Sequence, residues 1–151
     1  MKYSIIYICL LFLINGCSFS DPEESKQIQD YIIKTGTVCG WCSKNDTLTI
    51  NGNEINYKNY LQCSNINPSS KKSGVLAQEN LNRLLSSLNF EEFKTIKLNS
   101  CNVCADGCDN WIYVSKGDEF HLIKYGGNED DLNKIKVFIE ILDGIKKEYS
   151  D

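Results

Sequence analysis

Six cysteines place the tightest limit on what this chain can fold into. They lie beyond an N-terminal hydrophobic segment, at Cys39, Cys42, Cys63, Cys101, Cys104 and Cys108. The last three crowd one polar turn that runs straight into an alternating strand, and the first two form a Cys-x-x-Cys pair. The partners of these thiols decide between a cross-linked binding domain, a metal site and a redox catalyst.

The first sixteen residues predict a secretory signal peptide. Lys2 supplies a positive charge, and residues 5–14 form an apolar run that is too short to span a bilayer. The run ends with Leu-Ile-Asn-Gly-Cys at residues 13–17, which resembles the lipobox of bacterial lipoproteins. That resemblance implies cleavage before Cys17 and attachment of a diacylglyceryl group to its thiol. The anchored protein would then lie in the cell envelope, on the periplasmic or surface face of the outer membrane.

The number of cysteines agrees with lipidation. The chain contains 8 Cys, of which Cys9 would leave with the signal peptide and Cys17 would carry the lipid. An even number then remains, which an oxidising compartment favours as disulfides rather than as free thiols. The polar, acidic residues 17–27 predict a flexible tether, and residues 28–151 predict a single domain.

Composition excludes two classes of protein. With 42% hydrophobic and 24% charged residues the chain is ordinary for a globular domain, so wholesale disorder is not expected. The formal net charge of −4 and the lack of a basic stripe argue against a nucleic-acid partner. We expect no cofactor and no metal.

Two hairpins and a leading strand are predicted. Residues 28–35 read as the first strand, followed by a glycine-bearing loop at residues 35–42. Residues 47–57 alternate around an Asn-Gly-Asn turn, and placing the turn at Gly52 and Asn53 pairs Ile50 with Ile55. The same register, extended, sets Cys42 opposite Cys63.

The second half of the chain predicts two helices and another hairpin. Leucines recur at helical spacing at residues 81–88, and Asn89 with Glu92 can cap a further short turn. Residues 111–125 form the second predicted hairpin, and residues 128–147 a closing amphipathic helix with two lysines at its C-terminal end. Residues 62–74 read as a surface loop. The predicted fold is α+β: an antiparallel sheet with two main helices packed on one face, cross-linked by disulfides.

Two chemical alternatives to structural disulfides stay open. A thiol–disulfide enzyme would use Cys39 and Cys42, but the residues after this pair lead into a strand instead of the helix that lowers a thiol pKa. A zinc site could draw on both Cys-x-x-Cys pairs, although their separation is far longer than in zinc ribbons. A disulfide from Cys39 to the later cluster would stabilise the fold by ~4 kcal/mol.

Hydrolytic chemistry finds little support in the sequence. His121 is the single histidine and lies in mid-strand, where a histidine usually faces solvent. No Gly-x-Ser-x-Gly segment accompanies it. We therefore predict a non-enzymatic protein.

From residue 35 onward the chain resembles a group of small Bacteroidota lipoproteins. The resemblance rests on Val-Cys-Gly-Trp-Cys at residues 38–42 and Cys-Ala-Asp-Gly-Cys at residues 104–108. The order of elements is also similar to emfourin-type inhibitors of thermolysin-like metalloproteases, which carry a small-residue loop at the place of residues 35–38. That similarity implies an inhibitor as one alternative function, although fold alone does not imply function.

The expected function is a lipid-anchored domain that presents loops to a protein such as a protease, or to another ligand. The candidate binding residues belong to the glycine-bearing loop: Gly36, Thr37, Val38, Gly40 and Trp41. A cross-linked loop loses little entropy on binding, and Trp41 would be the aromatic anchor. The alternative for Trp41 is an ordinary position in the core, where tryptophan is often mostly buried.

Overall fold

A computed structural model describes residues 31–42, 44–60, 68–127 and 129–150. Its six strands are β1 (Tyr31–Cys39), β2 (Asn45–Asn51), β3 (Glu54–Asn59), β4 (Ser70–Val75), β5 (Cys108–Lys116) and β6 (Glu119–Tyr125). Its helices are α1 (Gln78–Ser86), α2 (Phe90–Thr95) and α3 (Lys136–Ser150), with 3₁₀ turns at Gly40–Cys42, Asn102–Ala105 and Asp130–Ile135. The whole region before β1, which includes the predicted signal peptide and the lipidation site Cys17, and also Cys63 lie outside these ranges.

The strands form one antiparallel sheet in the order β4-β3-β2-β1-β5-β6. β1 is central and pairs with β2 on one side and β5 on the other. The predicted loop at residues 35–42 is therefore wrong as far as Cys39, because this stretch continues the strand. The β-branched residues Thr35, Thr37 and Val38 suit a strand, and both neighbours satisfy its backbone polar groups.

Gly36 is the residue that made this stretch look like a loop. A Cβ on Gly36 would lie 2.7 Å from the indole ring of Trp111 on β5 and would also collide with the backbone carbonyl of Asp46 on β2. The glycine is required by this close approach, and not by a turn.

β4 is the second departure from the sequence prediction. Residues 62–74 were expected to form a loop, but Ser70–Val75 pairs with β3 at the edge of the sheet. The strand was missed because it is polar and shows no apolar alternation. Lys71 and Lys72 on it are the kind of charged residues that protect an exposed edge from pairing with another chain.

Both predicted hairpins are confirmed. Gly52 has a φ of 57°, as a primed turn needs, and Ile50 pairs with Ile55. In the second hairpin Gly117 also has a φ of 57° and joins β5 to β6.

The helices pack on one face of the sheet, which confirms the α+β class. Asn89 caps α2 by accepting a hydrogen bond from the Glu92 backbone N–H, as predicted. Alternate residues of the strands and the apolar sides of the helices form the core: Ile33, Leu48, Ile50, Ile55, Ile112, Val114, Ile123, Leu81, Leu84, Phe90, Phe93, Phe138, Leu142 and Ile145. Within the described part of the chain, no helix combines the length and hydropathy needed to cross a bilayer.

Candidate functional site at the disulfide-linked tip

Two disulfides meet at one end of the sheet. Cys39 and Cys108 are register partners in β1 and β5, and their bond spans 69 positions of sequence. Cys101 and Cys104 are bonded to each other within the turn before β5. We call residues 39–41 and 101–108 together the cysteine tip. Disulfide cross-linking is thus confirmed for four of the candidate cysteines.

The remaining two candidates are not placed. The side chain of Cys42 and the whole of Cys63 lie outside what the structure describes, so the pairing of Cys42 with Cys63 stays a prediction. In this oxidised form Cys39, Cys101 and Cys104 are held in disulfides. The zinc site considered as an alternative would require these cysteines to be reduced to thiolates.

The two halves of the tip touch through Gly40. Its backbone N–H donates a hydrogen bond to the Gly107 carbonyl at 2.8 Å. A Cβ on Gly40 would lie 2.6 Å from the Cα atom of Asp106 and 3.3 Å from the carbonyl oxygen of Val103. Glycine is needed here because the backbones approach so closely.

Trp41 projects from the tip into solvent. Its side chain is 85% exposed, and its backbone has a φ of 51° and a ψ of 14°. Left-handed backbone is uncommon for a bulky residue and persists only where the surroundings impose it. Because Trp41 is 85% exposed, the alternative of a core tryptophan is wrong. Of the candidate binding residues, Gly40 and Trp41 lie at the tip, whereas Gly36 and Thr37 are buried in β1 and Val38 is partly buried there.

A buried carboxylate holds the second half of the tip. Asp109 is 1% exposed. Its oxygens accept hydrogen bonds from the Ser100 hydroxyl at 2.7 Å and from the backbone N–H groups of Asn102 at 3.0 Å and Val103 at 3.1 Å. Burial by itself would raise the pKa of Asp109, but these hydrogen bonds outweigh it and hold the pKa below its ordinary value. These hydrogen bonds restrain the turn that carries the short disulfide in addition to the sulfur bond.

A second buried network lies beneath the tip, and sequence reasoning missed it. The Lys146 ammonium on α3 lies 2.6 Å from the Asp46 carboxylate on β2 and 3.0 Å from the Thr37 hydroxyl on β1. That hydroxyl donates to the Asn110 side-chain oxygen at 2.9 Å. Thr37 and Asn110 each lie two residues from a half of the Cys39–Cys108 disulfide. Four elements, β1, β2, β5 and α3, are therefore joined just below it.

The sequence placed Lys146 only as one of two lysines at the C-terminal end of the last helix, and gave it no buried partner. Two signals would have revealed the network. Lys146 follows Phe138 and Leu142 at four-residue intervals, which places it on the apolar side of α3. Asp46 precedes Leu48 and Ile50 at two-residue intervals, which places its side chain on the buried face of the sheet.

The same network perturbs a tyrosine. The Tyr57 hydroxyl lies 3.4 Å from an Asp46 carboxylate oxygen. Burial first, and then the negative charge of Asp46, raise the pKa of Tyr57 to about 12. The phenol therefore stays protonated at every physiological pH and can donate to the carboxylate.

His121 also differs from its prediction. It was expected to face solvent, but its imidazole packs edge-on against Phe93 with ring centroids 5.4 Å apart. One ring nitrogen lies 2.7 Å from the Ile96 carbonyl oxygen, which can only accept, so that nitrogen carries the proton. The histidine joins β6 to the end of α2, and it lies away from the tip.

An acidic cleft of about 610 Å³ lies between the ends of β5 and β6 and the last helix. Its lining includes Tyr125 and the carboxylates of Glu129, Glu140 and Asp143. Burial, and then the charges of Asp143 and Glu129, raise the pKa of Tyr125. Among the described residues, no three acidic, histidine or cysteine side chains are close enough to share a metal ion.

The sheet face opposite the helices carries a small aromatic patch. Tyr113 and Phe120 stack with ring centroids 5.8 Å apart, and the Lys34 ammonium lies 5.2 Å from the Tyr113 ring centre. Phe120 is 66% exposed. No described helix covers this face.

No protein-family model and no curated protein sequence matches this chain. A function for it therefore has to be argued from its own residues.

Proposed function

We propose that this protein is a non-catalytic, lipid-anchored protein of the cell envelope whose cysteine tip binds a protein ligand through Trp41. The observation that carries the proposal is the 85% exposure of Trp41 beside the Cys39–Cys108 disulfide. Burying the large apolar surface of an indole is favourable in free energy, and an indole exposed to water lacks that stabilisation. A fold that holds Trp41 outward therefore favours a partner that covers it.

The geometry of the tip suits a binding role. Gly40 is packed against the opposite turn, and Asp109 fixes that turn from below. A surface that is already ordered loses little conformational entropy when a partner docks. Exposed tryptophans that enter a partner's pocket are frequent hot spots, and each contributes on the order of 2 kcal/mol or more to binding.

Anchoring is supported by the sequence alone. The apolar run before Cys17 and the residues 13–17 resemble a lipobox, and an even number of cysteines remains when Cys17 is set aside. Multiple acyl chains on Cys17 would hold the protein durably, because each buried CH₂ contributes ~0.8 kcal/mol. Intact mass of the protein isolated from membranes tests this part, and an unmodified Cys17 would contradict it.

A thermolysin-like protease remains one untested identity for the partner. The inhibitors that the chain resembles carry a small-residue loop at the place of residues 35–38. Here those residues are paired on both sides within β1, so they do not present such a loop. The tip is the better candidate surface for any protease. Equimolar protein that leaves the rate of such a protease unchanged would exclude this partner.

The binding role is tested by site-specific photo-crosslinking in membranes of the native host. A photoreactive phenylalanine analogue, which keeps a large aromatic ring in place of the indole, is placed at position 41 and, as a matched control on another exposed aromatic, at position 120. We expect a discrete adduct from position 41 only. Excess unlabelled wild-type protein should abolish the adduct, whereas excess Trp41→Ala protein should not. Equal competition by the two proteins would overturn the proposal.

A further inference from the structure

The two disulfides of the tip differ in what they hold together. The Cys39–Cys108 bond joins the central strands across 69 positions of sequence, and its Cys39 end is only 6% exposed, although its Cys108 end is exposed. The Cys101–Cys104 bond closes a separation of 3, and both of its cysteines are exposed. Loop-closure entropy grows with loop length, so the short bond contributes less to the stability of the fold. It is also open to attack from solvent.

Hydrogen bonds hold the turn around Cys101 and Cys104 in addition to their bond. The Cys104 backbone N–H donates to the Cys101 carbonyl at 3.1 Å, and the Gly107 N–H donates to the Asn102 carbonyl at 2.8 Å. Asp109 accepts two more backbone hydrogen bonds from the residues between the cysteines. No residue of the 3₁₀ turn Asn102–Ala105 is buried. We therefore expect an opened bond to leave both thiols near each other and the core intact.

We propose that Cys101 and Cys104 form an exchangeable redox pair that oxidises two thiols on the polypeptide bound at the tip. This inference rests on the proposed function, because the partner is the protein that docks on Trp41. Gly40, next to Trp41, packs directly against Val103, which lies between the two cysteines. A segment of the partner that covers the Trp41 indole therefore lies at the same end of the molecule as the exposed residues Cys101 and Cys104.

The exchange balances without another reagent. A partner thiolate attacks the Sγ atom of one tip cysteine, the Cys101–Cys104 bond breaks, and the other cysteine leaves as a thiolate that takes a proton from water. The partner's second thiol, after losing its proton, attacks the resulting mixed disulfide and releases the first tip cysteine. The partner loses two electrons and two protons and gains a disulfide, and the tip gains two thiols.

The first experiment compares the two bonds directly. The full-length protein is equilibrated in glutathione buffers of stepped ratio, quenched with acid and alkylated, and every cysteine is quantified by peptide mass spectrometry. The short loop gives less stabilisation than the long one. We therefore expect Cys101 and Cys104 to be reduced at a ratio of reduced to oxidised glutathione roughly tenfold or more below the ratio that reduces Cys39 and Cys108. Circular dichroism should be unchanged at that point. Simultaneous reduction of both bonds, or unfolding as the short bond opens, would overturn the proposal.

The second experiment tests the polypeptide substrate. Oxidised wild-type protein and Trp41→Ala are each mixed with dithiothreitol and with a reduced synthetic peptide that carries two cysteines among apolar residues. With the peptide, we expect reduction of the short disulfide to be about tenfold slower in Trp41→Ala, as for loss of an interface anchor. Dithiothreitol should reduce both proteins equally fast. Equal rates with the peptide would overturn the assignment of a polypeptide substrate.

The two proposals fail in different ways. When the photoreactive residue at position 41 is combined with Cys101→Ser and Cys104→Ser, the protein should still form the photo-crosslinked adduct. If that adduct forms but wild-type protein shows no selective exchange, the redox inference is wrong and the binding function stands. If exchange is selective but no competed adduct forms, the docking site at Trp41 is wrong, and the redox inference falls with it.

Discussion

At the scale of single residues, two side chains with unusual surroundings define the cysteine tip. Trp41 is exposed on left-handed backbone, and Asp109 is buried with three donors around one carboxylate. In the sequence, Asp109 is only one of the aspartates around Gly107, where a tight turn favours such residues. Its role as the centre of the turn could not be seen, because its donors depend on how residues 100–103 fold back over β5.

Asp109 makes stability depend on pH in acid. Its folded pKa lies below its ordinary value of 3.8, so its stabilising effect is complete above that value and is lost as pH falls through the folded pKa. We expect Asp109→Asn to lose on the order of 2 kcal/mol at pH 7, because hydrogen bonds to a charged group contribute about that much. Urea unfolding at pH 7 and at a series of pH values below about 4 measures both effects. A difference between the two proteins that does not shrink in acid would contradict this role.

At the scale of elements, turns and helix caps could be predicted from neighbouring residues, whereas close packing between strands could not. The Gly52 turn fixes the pairing of Ile50 with Ile55, and the helix cap at Asn89 depends on a residue three positions away. Both signals are contained in a few neighbouring residues. Gly36 gave a misleading signal, because glycine marks turns more often than it marks a strand covered by an indole ring.

Two glycine substitutions should change stability in opposite directions. Gly36→Ala places a methyl group against the Trp111 ring and the Asp46 carbonyl, and we expect a loss of about 2 kcal/mol. Gly144 lies within α3 and has no atom within 4 Å of an added Cβ, so Gly144→Ala should gain about 0.5–1 kcal/mol. Chemical denaturation of the two variants checks both directions. Equal changes in the free energy of unfolding of the two variants would show that the close contact at Gly36 does not exclude a larger side chain.

At the scale of the whole molecule, the α+β class and the presence of disulfide cross-links were predicted correctly, while contacts between distant parts were not. β4 was missed since a polar edge strand lacks alternation. The contact between Lys146 and Asp46 spans 100 positions, and pairing at that distance leaves no local pattern. Each side chain did lie on a buried face by spacing, but nothing in the sequence identified one as the partner of the other.

The Lys146–Asp46 ion pair should contribute to global stability mainly through the cost of leaving one charge alone. Lys146→Met leaves the Asp46 carboxylate buried without its partner, and we expect a loss of about 3–5 kcal/mol. Lys147→Met, at the exposed neighbouring position, is the matched control and should change stability by less than about 0.5 kcal/mol. Thermal and urea unfolding of both variants provide the measurement. A Lys146→Met protein as stable as the control would show that the ion pair makes no measurable contribution to stability.

The central position of β1 has a mechanical consequence. The chain enters the sheet at Tyr31, so a pull from an N-terminal anchor would act along β1 and would shear it against β2 and β5 at once. At the far end of that strand, the covalent link from Cys39 to Cys108 prevents β1 from sliding out past its neighbour. Under such a pull the described domain should therefore yield elsewhere before this strand is extracted, and the surface that bears Trp41 should keep its shape.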